Sequence, residues 1–188
     1  MPWTNFVNNA RTLNKKTMRV FFAIKPDETA LKQLSHLAKQ LTLTSGGKIT
    51  KKANIHLTLA FLGEVAIDRL TTLRSVAKGV TATTFDFTFD EIRYWKHNQI
   101  IYVGTSTCPP ALLTLVNNLR NTLSTNSFVF DSRAYKPHIT LARKVKSGRM
   151  LPDLVTPISW RVAEWFLMQS KQTDRRINYI PLDRWTLN

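Results

Sequence analysis

Two short stretches of the sequence repeat one chemical pattern: His56-Leu57-Thr58-Leu59-Ala60 and His138-Ile139-Thr140-Leu141-Ala142. Each holds an imidazole and a hydroxyl, one aliphatic residue apart, inside a short apolar run. Side chains of an extended strand alternate between its faces, so His and Thr at i and i+2 share one face. The intervening Leu57 and Leu59, or Ile139 and Leu141, then anchor the opposite face in a core. One copy lies near the middle of each half of the chain. Halves that fold alike would bring the two polar faces together in a pseudo-twofold arrangement.

Two opposed imidazoles suit proton transfer at a phosphodiester. With a reference pKa of ~6.5, one acts as base while the other acts as acid near neutrality. One takes a proton from the attacking oxygen and the other delivers a proton to the departing oxygen. The hydroxyls of Thr58 and Thr140 can donate hydrogen bonds to the non-bridging oxygens, where transition-state charge collects. Lys48, Lys51 and Lys52 precede the first copy, and Arg143, Lys144, Lys146 and Arg149 follow the second. Such charges raise the local concentration of an anionic substrate. The bland alternative is two strands alike by coincidence, because a single H-x-T is usually only a strand. A metal centre fits poorly, since two histidines without a nearby cysteine or carboxylate cluster make a weak ligand set. His36, among the lysines of a helix, and His97, at a hairpin tip, read as surface residues.

The elements that must hold these residues follow from periodicity. Arg19 to Ile24 is a β-branched and aromatic run ending at Pro26, a buried first strand. Asp27 caps a helix with Leu31, Leu34, Leu37/Ala38 and Leu41 on one face, closed by Gly46-Gly47. The first motif continues through Phe61-Leu62-Gly63, and a second helix runs from Asp68 to about Val80. Phe85, Phe87 and Phe89 alternate with polar residues in a half-buried strand, which continues to Trp95 with Asp90 on its solvent face. It turns at His97-Asn98 into Gln99 to Val103, a hairpin. Pro109-Pro110 opens a third helix with Leu112, Leu115, Val116, Leu119 and Leu123 as its stripe. Pro137 favours an extended chain entering the second motif. Two more strands are expected, Trp160 to Met168 and Asn178 to Leu182. Mixed strands and helices without regular alternation indicate an α+β fold.

Composition narrows the class. At 188 residues with 43% apolar side chains, the chain is one domain or two closely packed lobes. Against 12 acids stand 27 Lys and Arg, a formal charge of +15, which favours polyanionic partners. Cys108 is the single cysteine, so no intrachain disulfide or thiolate cluster can form, in keeping with the cytoplasm. No apolar run is long enough to span a bilayer. Residues 1–17 read as a flexible polar extension, with the folded unit at 18–188.

The stretches HLTLAFLG (His56 to Gly63) and PHITLAR (Pro137 to Arg143) resemble the paired motifs of the two-histidine phosphoesterase superfamily. More narrowly, the chain resembles the bacterial RNA 2′,3′-cyclic phosphodiesterases, historically called 2′-5′ RNA ligases. The opening strand Arg19 to Ile24 and the closing Tyr179 and Pro181 to Trp185 are similar as well. The resemblance implies a bilobal α+β fold, each lobe an antiparallel sheet with flanking helices, around a central cleft. It implies metal-independent, cofactor-free hydrolysis of RNA 2′,3′-cyclic phosphate ends, tRNA fragments among them, to 2′-phosphates by a cytoplasmic monomer. His56 and His138 would be the acid and base, Thr58 and Thr140 would hold phosphate oxygens, and Arg143 would contact phosphate. Strict alternation puts Arg143 on the face opposite His138, so that role requires a twist or a strand end. Phe61, by the same alternation, is a core residue or a base-stacking surface. Reverse 2′-5′ ligation is a secondary activity. The alternatives are a phosphodiesterase for 2′-5′ oligonucleotides or small cyclic nucleotides, and a non-catalytic basic RNA-binding module.

Overall fold

A computed structural model describes residues 16–147, 151–154, 156–173 and 176–188. The expected extension falls almost entirely outside them, as do Lys15 and Arg149. Strand β1 (Thr17–Ile24) leads into helix α1 (Glu28–Ser45). Asp27 caps that helix by accepting the Ala30 N–H at 2.7 Å, and Gly46 ends it at φ +68°. The two-residue strand β2 (Lys48–Ile49) precedes β3 (Leu57–Ala66), which carries the first motif. A 3₁₀ turn at Ile67–Arg69 opens α2 (Leu70–Lys78), a shorter helix than its periodicity suggests. Strands β4 (Phe85–Phe89), β5 (Glu91–Trp95) and β6 (Ile100–Gly104) follow, then α3 (Pro110–Thr125), whose five expected leucine and valine positions are all buried. Strand β7 (Ile139–Arg143) carries the second motif. Strands β8 (Ile158–Val162), β9 (Glu164–Thr173) and β10 (Arg176–Thr186) complete the chain.

Two four-stranded antiparallel sheets form, in the orders β10-β9-β1-β3 and β2-β7-β6-β5, beside a β4-β8 pair. The lobes repeat each other in register. Phe21, Phe22, Ala23 and Ile24 face Phe61, Ala60, Thr58 and Leu57. Ile100, Ile101, Tyr102 and Val103 face Arg143, Ala142, Thr140 and Ile139 in the same way. In both ladders the fourth motif residue, Leu59 or Leu141, has no partner. Each motif strand is therefore bulged at the same place. Helix α1 packs against β7 and α3 against β3, so the apolar backs of both sheets share one continuous core. The opposite face of the first sheet carries a separate cluster of Phe21, Ala23 and Met168, edged by Phe61, Phe166 and Tyr179.

Two expected strands are each divided. The run from Phe85 to Trp95 breaks at Asp90: β4 pairs with β8, whereas β5 pairs with β6. Asp90 is not on a strand's solvent face; its carboxylate accepts the Ser106 N–H at 2.8 Å and the Ser106 hydroxyl. The run from Trp160 to Met168 breaks at Ala163, whose carbonyl accepts the Leu187 N–H at 2.8 Å. Its two parts, β8 and β9, lie in different sheets. Unbroken apolar alternation conceals such a change of partner, because the partners are distant in sequence. Among the described residues no helix is long and apolar enough to cross a membrane.

Candidate active site

His56 and His138 each stand one residue before their strand, and the two are mounted alike. The carbonyl two residues upstream accepts from the ring: Asn54 O lies 2.7 Å from His56 Nδ1, and Lys136 O lies 2.7 Å from His138 Nδ1. A carbonyl can only accept, so Nδ1 carries the proton and Nε2 is left for chemistry. The Thr58 hydroxyl sits 3.1 Å from His56 Nε2. Aromatic rings fix both imidazoles from the side. Phe21 and Tyr179 each lie 4.9 Å from His56, centroid to centroid. Trp95 and Tyr102 lie 4.6 and 5.6 Å from His138, both edge to face.

The bulges decide which neighbours join them. A residue inserted at Leu59 or Leu141 resets the alternation, so the fifth position beyond each histidine returns to the histidine face. That position holds Phe61 in one lobe and Arg143 in the other. Arg143 is exposed and lines the cleft, as do His138 and Thr140. Phe61 is half-buried, with the Arg19 guanidinium 4.8 Å above its ring. Strict alternation would have turned both side chains into the core.

His56, Thr58, His138, Thr140 and Arg143 line one cavity of about 640 Å³, together with Lys48, Lys51 and Lys144. A second cavity of about 520 Å³ adjoins it, sharing Thr58, His138, Thr140 and Arg143. His97 and Asn98 of the hairpin turn border this second space. Lys52, by contrast, is engaged with Glu28 at 3.0 Å. Burial pulls the His56 pKa down to about 4, and the neighbouring Arg143 and His138 charges press the same way. Burial also lowers the His138 pKa, with Arg143 adding to it. A pKa of about 4 leaves the His56 imidazole neutral at pH 7, and the downward push on His138 favours its neutral form.

Several supporting residues carry no signal in the sequence. The Asn54 side chain ties β10 to the first motif, donating to Ile177 O at 2.8 Å and accepting the Tyr179 N–H at 3.2 Å. Half-buried Tyr135 donates to Thr58 O at 3.2 Å, and the Asp131 N–H donates to Phe61 O at 2.9 Å, covering the open edge of β3. Trp95 and Tyr102 meet diagonally across the β5–β6 hairpin, Trp95 lying opposite Ile100 and Tyr102 opposite Arg93, whereas Tyr179 is placed by the pairing of β10 with β9.

A two-lobed α+β fold that presents two equivalent His-x-Thr strands to one cleft defines a two-histidine phosphoesterase. Residues 24–102 match the family model described as LigT like Phosphoesterase. The chain is 31% identical to the RNA 2′,3′-cyclic phosphodiesterase of Escherichia coli (strain K12), over 90% of this chain and 96% of that protein. It is 32% identical to the protein of that name from Thermotoga maritima, over 67% and 70% of the two chains. The crystal structure of E. coli LigT complexed with 3′-AMP superposes with a TM-score of 0.84 at 30% identity, covering 92% of this chain and 99% of that one. The chain belongs to the LigT-like phosphoesterase family.

Proposed function

We propose that this protein hydrolyses the 2′,3′-cyclic phosphate at an RNA 3′ end to a 2′-phosphate, with His56 and His138 as its acid–base pair and without a metal. The observation that most supports this is the equivalent mounting of the two imidazoles on one cleft, each with Nδ1 fixed and Nε2 available. Relatives named as RNA 2′,3′-cyclic phosphodiesterases supply the substrate class. Both halves of the site come from one chain, so a monomer is complete. A lone cysteine suits the cytoplasm.

In this reading Thr58, Thr140 and Arg143 hold the non-bridging oxygens. A water attacks phosphorus in line with the P–O3′ bond while His138 Nε2 takes its proton. His56 gives its proton to O3′ as that bond breaks, leaving the phosphate on O2′ and a free 3′ hydroxyl. Proton exchange with solvent restores both histidines. The negative charge of the incoming phosphate beside His56 offsets burial and favours the imidazolium. Ring opening in abundant water makes hydrolysis dominant over the reverse 2′-5′ ligation.

The test uses an RNA ending in 2′,3′-cyclic phosphate, with the product resolved by phosphorus NMR. Turnover to the 2′-phosphate should persist in EDTA. His56→Ala and His138→Ala should each lower kcat by roughly 10²–10⁴-fold with the circular dichroism unchanged. A metal-dependent rate, or near-wild-type turnover in both variants, would remove the proposal.

A further inference from the structure

The carbonyls that orient the two histidines are equivalent, but they are held in different ways. Lys136 O belongs to the peptide bond leading into Pro137. The pyrrolidine ring locks φ at about −65° and keeps Lys136 extended, so covalent geometry aims that carbonyl. Asn54 O has no such constraint, because Ile55 stands where the second lobe has proline. Its peptide ends a single 3₁₀ turn, Lys52–Asn54, whose last hydrogen bond, Ile55 N–H to Lys52 O, is 3.2 Å long. The buried Ile55 side chain anchors the far side of this peptide and leaves its φ free to turn.

What fixes the near side is the Asn54 carboxamide. Its Nδ2 donates to Ile177 O at 2.8 Å, and its Oδ1 accepts the Tyr179 N–H at 3.2 Å. Both partners are backbone groups of β10, the outer strand of its sheet, and they lie on its open edge. The carboxamide thus takes the two groups that a further strand would take. Both of its polar ends are engaged by β10, although the residue borders the larger cavity. The same strand sets the Tyr179 ring 4.9 Å from His56. Lys136 has no counterpart to this bridge, and with Pro137 beside it needs none.

We propose that Asn54 is the positioning residue for the acid: its side chain clamps the 3₁₀ turn to β10, so that its carbonyl holds the His56 proton on Nδ1 and keeps Nε2 aimed into the cleft. The clamp's part in catalysis rests on the proposed RNA-end hydrolysis and makes one histidine, but not the other, dependent on the docking of β10. With the clamp gone, the carbonyl swings with its turn, the neutral tautomers of His56 mix, and proton delivery to the leaving oxygen falters. Substrate binding is spared, because the carboxamide faces β10.

On cytidine 2′,3′-cyclic phosphate, Asn54→Ala should lower kcat about 10-fold with KM nearly unchanged. On bis(p-nitrophenyl) phosphate, whose leaving group needs no proton, its rate should stay within about 2-fold of the wild type, which also shows that it folds. In a His56→Ala background, Asn54→Ala should add no further loss on the cyclic nucleotide, because the group it positions is gone. Nitrogen NMR of histidine-labelled protein reads the clamp without turnover. His56 should pass from the Nδ1–H tautomer to a mixture in Asn54→Ala, while His138, aimed through Pro137, keeps its own. Should Asn54→Ala fail to fold, Asn54→Asp carries the same readouts: it is isosteric and accepts from Tyr179, but cannot donate to Ile177 O. Equal losses on both phosphodiesters, a raised KM with kcat intact, a further loss beside His56→Ala, or an unmoved His56 tautomer each overturn the clamp and leave hydrolysis standing. A wild type that leaves the cyclic nucleotide intact overturns the hydrolysis reading instead, and the His56 tautomer then decides the clamp alone.

Discussion

Burial holds His56 at a pKa of about 4, so the residue assigned as acid enters the reaction cycle without its proton and must gain it with the substrate. A non-titrating phosphate mimic isolates that step. Sulfate bound between Thr58, Thr140 and Arg143 should raise the His56 pKa by about one unit or more, followed by imidazole NMR; an unmoved titration would show that the anion sits elsewhere. The same depression acts on stability. Between pH 6.5 and 4 the unfolded chain binds a proton on His56 that the folded chain refuses, so stability falls on acidification across that window and is full above it. The ceiling is about 3 kcal/mol, reduced by whatever water in the cleft screens. Urea unfolding of His56→Gln should show a shallower loss between pH 6.5 and 4 than the wild type, and equal slopes would contradict the assignment. At this scale the sequence was most legible: two imidazoles and two hydroxyls could be named from spacing alone. Their holders, the Asn54 and Lys136 carbonyls and the flanking rings, could not, because a backbone oxygen has no residue type and ring contacts arise across strands.

The elements turn repeated motifs into a working geometry, and the device that does so is the bulge at Leu59 and Leu141. Without it Arg143 and Phe61 would face the core. A one-residue bulge leaves no mark in an apolar run, which is why strict alternation assigned Arg143 to the wrong face. The strand breaks at Asp90 and Ala163 were hidden for a related reason: alternation records which face is buried, not against which strand. The caps and helical stripes, being local, were legible to within a turn. Gly47 tests the bulged end of β7. It sits at φ +91°, and an added Cβ would lie 2.7 Å from Arg143 O and 2.8 Å from Val145 Cγ2. Gly47→Ala should therefore push β2 from β7, cost about 1–3 kcal/mol and lower kcat/KM with it. Gly46→Ala, with φ +68° but nothing within 4 Å, should cost less and leave activity near wild type. Thermal unfolding and kinetics on the same two variants distinguish them; equal effects would deny Gly47 its role.

At the scale of the whole molecule, two similar lobes share one apolar core and turn unlike surfaces toward the same cleft. The repeated register makes the histidines equivalent as mounts, and the difference between Phe61 and Arg143 makes their surroundings unequal. Pseudo-symmetry was foreseeable from the twin motifs; the pairing of β9 with β1 and of β2 with β7 was not, since each joins segments remote in the chain. In the proposed reaction the two imidazoles have different tasks on one phosphate, and a change of leaving group separates them most directly. On 2′,3′-cyclic nucleotide both His56→Ala and His138→Ala should lose most activity. On bis(p-nitrophenyl) phosphate, whose leaving group needs no proton, His56→Ala should recover to within about 10-fold of the wild type while His138→Ala stays impaired. Recovery of His138→Ala instead would reverse the acid and base, and full activity of either variant on the cyclic nucleotide would contradict paired catalysis altogether.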